Sequence, residues 1–263
     1  MKGLVINGKV FPVDGVRVIG PSDPGGVALS PGDGCPRRAW PHQWFLHKTI
    51  ADDPEKLLAG TGPSAHAGGA ADTAAYWAGD PQHSGAHLVV GHDGTVLQTA
   101  DLATVAAYHA EQSNMSSVGL ETKELAGGGF YAACARAVVA VTVAGCRALG
   151  IQLVAQWPYR GRPLTRMKDG GRDCYGIFGH RDNTERRGRW DPGDLLFSML
   201  RDAGVALVDF EAGADRTYIA AIQRVLAADG FYSGAIDGLA GLGTRDALLA
   251  AGYRDGIYAL GRA

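Results

Sequence analysis

The chain has 263 residues and a mass of 27.5 kDa, with 46% hydrophobic and 20% charged residues, enough to bury one sizeable core and a second small one. Its formal net charge of -2 and its pI near 6.4 lack the basic excess that binding to phosphate backbones requires. This composition argues against nucleic acid as a partner.

The first residues and the cysteines bear on where the protein is made. No apolar run long enough for a signal peptide opens the sequence, and no stretch of about 18 apolar residues predicts a membrane span. The four cysteines are far apart, without a CxxC pair, which predicts free thiols and no disulfide framework. We therefore expect synthesis in the cytoplasm without a signal peptide, and no membrane insertion.

The N-terminal half begins with an arm and continues into a strand. Residues 1–40 are rich in Gly, Pro and Asp and contain two short β-like runs, LVING and VRVIG. They predict a loop-dominated arm that covers a cleft, packs as an edge strand or contacts a partner. Residues 42–50, HQWFLHKTI, are apolar on both faces, as expected of a central strand, and His47 interrupts them.

The middle of the chain alternates strands with helices. A helix is predicted to begin at Ser64, and GAHLVVGHDGTVLQT predicts a hairpin that turns at Asp93 and Gly94. VGLETKE predicts another strand, followed by an apolar helix that ends at Gly150. IQLVAQW predicts a further strand, and the closing helix runs to Ala203, with Pro192 in its first turn.

This order predicts an α/β fold with a central mixed β-sheet flanked by helices over residues 41–204. Residues 205–215 resemble a linker. Residues 216–263 predict a separate small three-helix domain, because an apolar helical period runs into Gly230 and a Gly/Asp loop leads to a second helix near Thr244.

A metal site is suggested by GHRDNTERRGRWDPGD, which places His180 and Asp191 eleven positions apart. Catalytic zinc keeps three protein ligands of nitrogen, sulfur or carboxylate type and one open position. His47 is the best third ligand, since an unsatisfied imidazole inside an apolar strand costs about 1–3 kcal/mol. Glu121 stands in the strand VGLETKE, where a buried carboxylate is expensive unless it is paired or catalytic. The alternative is that these histidines are hydrogen-bonded core or surface residues.

Five segments in this order and spacing resemble one known family: FLHKT, SGAHLVVGHDGTVLQ, AAYHA, NMSSVGLE and GHRD with RWDPGDL. They are similar to the type 2 N-acetylmuramoyl-L-alanine amidases, which include phage lysozyme-type enzymes and are related to the peptidoglycan recognition proteins. The resemblance covers residues 42–203.

The resemblance implies a zinc ion and a carboxylate that acts as acid and base. It assigns the metal ligands to His47, His180 and Asp191, and the catalytic acid/base to Glu121. Arg189 lies where many members carry a lysine that stabilises the developing oxyanion. Arginine keeps the positive charge, but its guanidinium group is planar, whereas the lysine ammonium is a compact point charge. Wall and substrate-contacting positions of the cleft correspond to His87, His109 and Asn114.

The C-terminal segment IQRVLAADGFYSGAIDGLAGLGTRDAL resembles the peptidoglycan-binding domain appended to cell-wall hydrolases. It departs from that pattern near its end, where Ala-Gly replaces an aromatic-Gln pair. A cap that only stabilises the catalytic domain is the alternative role.

Together these resemblances imply a zinc amidase that cuts between N-acetylmuramic acid and L-alanine in peptidoglycan. A wall-binding module without a signal peptide favours a phage endolysin that reaches the wall after holin-type release. The alternatives are a cytosolic amidase that recycles anhydro-muropeptides, a non-catalytic peptidoglycan recognition protein, and an unrelated binding protein.

Overall fold

The computed structural model describes residues 3–30, 32–52, 70–78, 84–125, 131–167, 174–185, 191–210, 214–239 and 242–251. Its strands are β1 Gly3–Ile6, β2 Lys9–Pro12, β3 Val18–Ile19, β4 Gly34–Pro36, β5 Gln43–Asp52, β6 Leu88–Val90, β7 Val96–Gln98, β8 Val105–Ala107, β9 Ser117–Leu125, β10 Val154–Gln156, β11 Gly176–Gly179 and β12 Ala206–Val208. Its α-helices are α1 Ala70–Ala78, α2 Ala132–Leu149, α3 Asp194–Asp202, α4 Ala214–Ala228 and α5 Leu242–Ala250. The predicted helix start at Ser64 lies outside the described residues.

The main sheet has eight strands in the order β12-β10-β11-β5-β9-β6-β7-β3. Only the hairpin of β6 and β7 pairs antiparallel, and the other neighbours run parallel. Gly94 has φ +82° in that hairpin turn, a conformation that glycine adopts readily. The predicted mixed sheet flanked by helices is confirmed.

Side-chain alternation along the central strands gives the sheet two different faces. Trp44 and Leu46 of β5 belong to a core that includes the buried side of α2. Phe45 lies on the opposite face, in a second core with Phe178 of β11. His47 follows the same alternation and therefore projects from the face opposite α2.

Helix α2 is the one helix among the described residues that is long and apolar enough by composition to cross a membrane. Half of that segment is buried inside the protein, as in a core helix. Gly150 ends it in the left-handed conformation, and its N–H bonds to the carbonyls of Arg147 and Cys146, as the sequence predicts.

The N-terminal arm is part of the main core. Leu4 and Ile6 of the β1-β2 hairpin are buried there, and β3 pairs with β7 as the edge strand of the sheet. The Asp101 carboxylate accepts N–H bonds from Asn7 and Gly8 at 2.9 and 2.8 Å, which fixes the hairpin turn. Of the three roles left open for the arm, the structure shows edge-strand packing.

The region predicted as a linker, residues 205–215, differs from that prediction. Residues Ala206–Val208 form β12, which pairs parallel with β10, and Phe210 is buried in the second core. Helix α4 begins at Ala214 and buries Ile219 and Ile222 in the same core. A three-residue apolar run is too short for its pattern to distinguish a strand from a connection.

The C-terminal module therefore shares a core with the main sheet. Within it, the Gln223 side chain donates to Asp237 Oδ1 at 2.9 Å and to Thr244 Oγ1 at 3.1 Å, and it accepts the Gly238 N–H at 2.9 Å. These residues, which carry the likeness to a wall-binding domain, hold the loop between α4 and α5. A third helix would fall in residues 252–263, outside the described part of the chain.

Candidate metal centre and active site

Three side chains predicted as metal ligands meet beside the carboxyl end of β11, next to the middle of β5. His47 comes from β5, His180 directly follows β11, and Asp191 lies three residues before α3. The two Nδ1 atoms of the histidines are 2.9 Å apart, and His180 Nδ1 is 3.4 Å from Asp191 Oδ2. One ligand atom from each residue lies within 4.8 Å of the others, and all three residues are buried. The ends of parallel strands are where open α/β sheets bind ligands.

Backbone contacts fix the Asp191 carboxylate and the chain around it. The Lys48 N–H donates to Asp191 Oδ1 at 2.8 Å, which leaves Oδ2 directed toward His180. The Arg181 N–H donates to the Asp191 carbonyl at 3.0 Å. The strand that carries one candidate ligand therefore orients another.

The turn after His180 is anchored by a buried arginine. The Arg181 guanidinium donates to Asp194 Oδ1 at 2.7 Å and lies over the rings of Tyr159 and Phe197, 5.1 and 4.8 Å from their centroids. Asp182 Oδ2 accepts the Gly179 N–H at 2.8 Å. Burial raises the pKa of the Asp182 carboxyl to about 7, against the lowering effect of Arg181 and of that N–H. These contacts hold His180 at the end of β11.

The donor set fits a zinc ion. Two imidazole nitrogens and one carboxylate oxygen are a ligand set of catalytic zinc sites, and ligands about 2.0–2.1 Å from a tetrahedral ion lie roughly 3.3 Å apart. The 2.9 and 3.4 Å separations fall on either side of that spacing. Two imidazole lone pairs facing each other repel unless a proton or a cation lies between them.

Glu121, the predicted acid/base, lies beside the three candidate ligands. It stands opposite His47 in the register of β5 and β9, and its Oε1 is 4.0 Å from His47 Nδ1. Its side chain retains 16% exposure, against 2% for His47. Its carboxylate therefore lies next to the candidate ligands, and the side chain as a whole is less deeply buried than that of His47.

His109, which the resemblance assigns to the wall of the cleft, contacts the candidate ligand His47. Its Nδ1 is 2.9 Å from His47 Nε2, and its Nε2 is 3.2 Å from Ser117 Oγ. Burial, with smaller contributions from His87 and other nearby charges, holds the pKa of the His109 imidazole well below its usual value. The ring is therefore neutral near pH 7.

His87 lies behind the site. Its ring is fully buried; Nδ1 accepts the Gly119 N–H at 3.0 Å, and Nε2 is 2.9 Å from the Val105 carbonyl. Burial and the nearby Arg37 lower the pKa of His87 to about 3. This placement favours a structural role, and the predicted substrate contact stays a prediction.

Two predicted site residues remain, Asn114 and Arg189. The Asn114 side chain is half-buried, and its Oδ1 accepts the N–H groups of His109 and Ala110 at 2.9 and 2.6 Å. It thus holds the His109 loop, and its predicted substrate contact remains a prediction. Arg189 lies outside the described residues.

Sequence reasoning missed Arg37 and Gly119. Arg37 donates to the carbonyls of Val105, Met115 and Ser117 at 3.1, 2.9 and 2.8 Å, and burial lowers its pKa to about 10. A Cβ on Gly119 would lie 2.5 Å from His109 Cγ. The signal for Gly119 was present, because a glycine inside a strand often marks a close approach.

The fold and the site define an α/β protein with a candidate metal centre on one face of its sheet, beside the carboxyl end of β11. The sequence profile of the family described as N-acetylmuramoyl-L-alanine amidase matches residues 38–194. The chain belongs to this family. No curated protein shows significant similarity to the chain.

Several solved structures are similar to this chain at low sequence identity. The endolysin amidase LysCS from Clostridium intestinale is 12% identical, with a TM-score of 0.44 over 72% of this chain and 96% of that one. AmpD is 19% identical, with a TM-score of 0.42 over 75% of this chain and 98% of that one. The peptidoglycan recognition protein PGRP-Hd from Alvinella pompejana is 12% identical, with a TM-score of 0.44 over 73% and 98%. Similarity this weak carries no conclusion about substrate.

Proposed function

We propose that this protein is a zinc-dependent N-acetylmuramoyl-L-alanine amidase that hydrolyses the amide bond between N-acetylmuramic acid and L-alanine in peptidoglycan. The observation that carries the proposal is the convergence of His47, His180 and Asp191 beside Glu121, in a chain of the amidase family. A non-catalytic recognition protein has no need of a complete ligand set and a neighbouring carboxylate.

In this proposal His47 Nδ1, His180 Nδ1 and the Asp191 carboxylate hold the zinc ion. Bound zinc supplies Lewis-acid chemistry and lowers the pKa of water toward about 7. The Lys48 N–H at 2.8 Å keeps the Asp191 carboxylate in place. Carboxylates that bind metal ions are usually held by hydrogen bonds in this way.

Glu121 moves the proton. Its carboxylate takes a proton from the attacking water and returns it to the leaving L-alanine amine, so one group serves as base and then as acid. Its Oε1 lies 4.0 Å from His47 Nδ1, which supports a role beside the candidate ligands. Arg189 would stabilise the charge that develops on the carbonyl oxygen; this role rests on the resemblance alone.

The test is mass spectrometry of purified peptidoglycan digested by the wild type and by Glu121→Gln. The proposal expects new N-terminal L-alanine, no new reducing sugar ends, and loss of both products in the variant. New reducing ends would indicate a glycosidase. Binding to peptidoglycan without any released product would support the recognition protein.

The site of action belongs to the same proposal. We propose cytoplasmic synthesis and action on the cell wall after holin-type release, as in a phage endolysin. The likeness of the C-terminal module to a wall-binding domain supports this. The core that the module shares with the sheet, however, supports the alternative stabilising role. A module that only stabilises the sheet is also compatible with a cytosolic recycling amidase, which needs no wall-binding domain. Turnover of intact sacculi against soluble anhydro-muropeptide separates the endolysin from the recycling enzyme.

A further inference from the structure

A second histidine lies against the far side of His47. His109 Nδ1 is 2.9 Å from His47 Nε2, the ring nitrogen that points away from His180 and Asp191. The two rings meet edge to face at 86°, with centroids 5.0 Å apart. Any proton between these two nitrogens determines which nitrogen of His47 keeps its lone pair.

The hydrogen-bond chain beyond His109 fixes the position of that proton. The Ser117 hydroxyl donates to the Ser113 carbonyl at 2.6 Å, so the Ser117 oxygen is available as the acceptor for His109 Nε2 at 3.2 Å. A neutral imidazole has one N–H donor and one acceptor nitrogen. If Nε2 of His109 donates, its Nδ1 accepts, and the donor must be His47 Nε2.

That tautomer leaves the lone pair of His47 on Nδ1. Nδ1 is the atom that faces His180 Nδ1 at 2.9 Å. In the opposite tautomer, Nδ1 would carry a hydrogen directed into the metal cluster and could not bind a cation until that hydrogen had moved.

The backbone makes room for this contact. Gly119 stands on β9 where a Cβ would lie 2.5 Å from His109 Cγ and 2.6 Å from its Nδ1. Asn114 Oδ1 accepts the N–H of His109 itself at 2.9 Å. The ring is therefore held from the strand side and from its own loop, independently of any contact with substrate.

We propose that His109 is a positioning residue, which fixes the tautomer of His47 through the chain from Ser113 to Ser117 and so prepares Nδ1 to bind the cation. The inference rests on the metal site of the proposed function. It assigns His109 a role behind a ligand, where the resemblance placed it on the cleft wall. Loss of such an outer hydrogen bond typically lowers metal affinity by about 10–100-fold.

The test compares His109→Leu with His109→Asn, because the asparagine Oδ1 can occupy the place of the imidazole Nδ1 and accept the same hydrogen bond. Zn²⁺ affinity is measured on the full chain by competition with a chromophoric chelator. We expect His109→Leu to bind Zn²⁺ about 10–100-fold more weakly and His109→Asn to recover most of the loss. The control, His92→Leu, removes an exposed histidine of the β6-β7 turn and should bind as the wild type does.

A second readout reports the tautomer directly. Long-range ¹⁵N–¹H correlation spectra of the metal-free protein should show the His47 hydrogen on Nε2 in the wild type. In His109→Leu the hydrogen should no longer be confined to Nε2. If His109→Leu does not fold, Ser117→Ala tests the same chain from its other end and should also weaken Zn²⁺ binding.

Wild-type affinity in both variants, or a wild-type His47 with its hydrogen on Nδ1, would overturn the inference. Amidase activity in the wild type together with that result would leave the proposed function intact. The expected affinities without any release of L-alanine from peptidoglycan would support the positioning role and reject the amidase.

Discussion

His47 and Glu121 stand opposite each other in the register of two parallel strands, β5 and β9, with His47 Nδ1 and Glu121 Oε1 4.0 Å apart. Parallel pairing fixes this neighbourhood through the backbone, so the candidate metal ligand and the proposed proton-transferring group share one rigid support. Sites held on strands keep their geometry better than sites held on loops.

The two residues should therefore separate metal binding from catalysis. Glu121→Gln keeps the shape of the side chain and removes its basicity, so we predict a fall in kcat of about 10²–10⁴-fold. Zn²⁺ binding should change little. Asp191→Ala should lose both, because it removes a candidate ligand. Equal loss of Zn²⁺ in the two variants would place Glu121 among the ligands.

The buried, neutral His87 predicts a specific dependence of stability on pH. Its pKa is about 3 in the folded protein and about 6.5 when unfolded, so between these values the unfolded chain binds the extra proton. Its contribution to stability is present above about pH 6.5 and is lost as the pH falls, by about 1.4 kcal/mol per pH unit.

Urea unfolding measured from pH 7 down to pH 5 checks this dependence. His87→Gln should be less stable than the wild type at pH 7 but should show a shallower fall at acid pH. The matched variant His92→Gln, at an exposed position, should retain the wild-type slope. An unchanged slope in His87→Gln would show that other groups cause the acid sensitivity.

The shared second core predicts that the C-terminal module and the amidase sheet unfold together. Leu226 is fully buried in the core that contains Phe45 and Phe178, so Leu226→Ala should cost about 2–5 kcal/mol. Leu242→Ala, at a side chain with 74% exposure, should stay within about 0.5 kcal/mol.

Scanning calorimetry of both variants tests whether the C-terminal module and the sheet unfold together. We expect one transition, moved to lower temperature by Leu226→Ala and accompanied by loss of amidase activity at the same temperature. Two transitions, with only the smaller one displaced, would show an independent domain.

Close packing of α2 on the sheet predicts that Gly145→Ala destabilises the protein. A Cβ there would lie 2.5 Å from the Trp44 ring. Overpacking costs about 1–3 kcal/mol, and at a contact this short we expect that cost to outweigh the gain of up to about 1 kcal/mol from placing alanine in a helix. Trp44→Phe removes the ring atoms at the contact, so chemical denaturation of the double variant should show less than the sum of the two single losses.

Much of the candidate site could be predicted from the sequence, because several of its residues lie in segments whose secondary structure the sequence pattern predicts. His47 and Glu121 belong to the segments HQWFLHKTI and VGLETKE, whose apolar patterns predict strands. The five segments that resemble the family assigned these residues, with His180 and Asp191, to one site. The parts that lacked such signals were the supports: Arg37 lies in the arm, and its three carbonyl partners are distant in sequence.

The arm and the C-terminal module show why the outer parts of the fold were harder to predict. The strands β3 and β12 have two and three residues, too few to show a period. Their place in the sheet depends on partners about 80 and 50 residues away in sequence, Val96 and Val154. The apolar positions of α4 predicted a buried helical face correctly, but nothing in them distinguishes a core of its own from the second core that includes Phe45.

The central claim is that His47, His180 and Asp191 together hold one catalytic cation. Elemental analysis after dialysis against trace Zn²⁺ tests it most directly, with the wild type compared with His180→Ala and the exposed-site control His92→Leu. We predict one zinc per chain in the wild type and the control, and loss of stoichiometric zinc in His180→Ala. A wild type without zinc, or a His180→Ala variant that retains a full equivalent, would contradict the account.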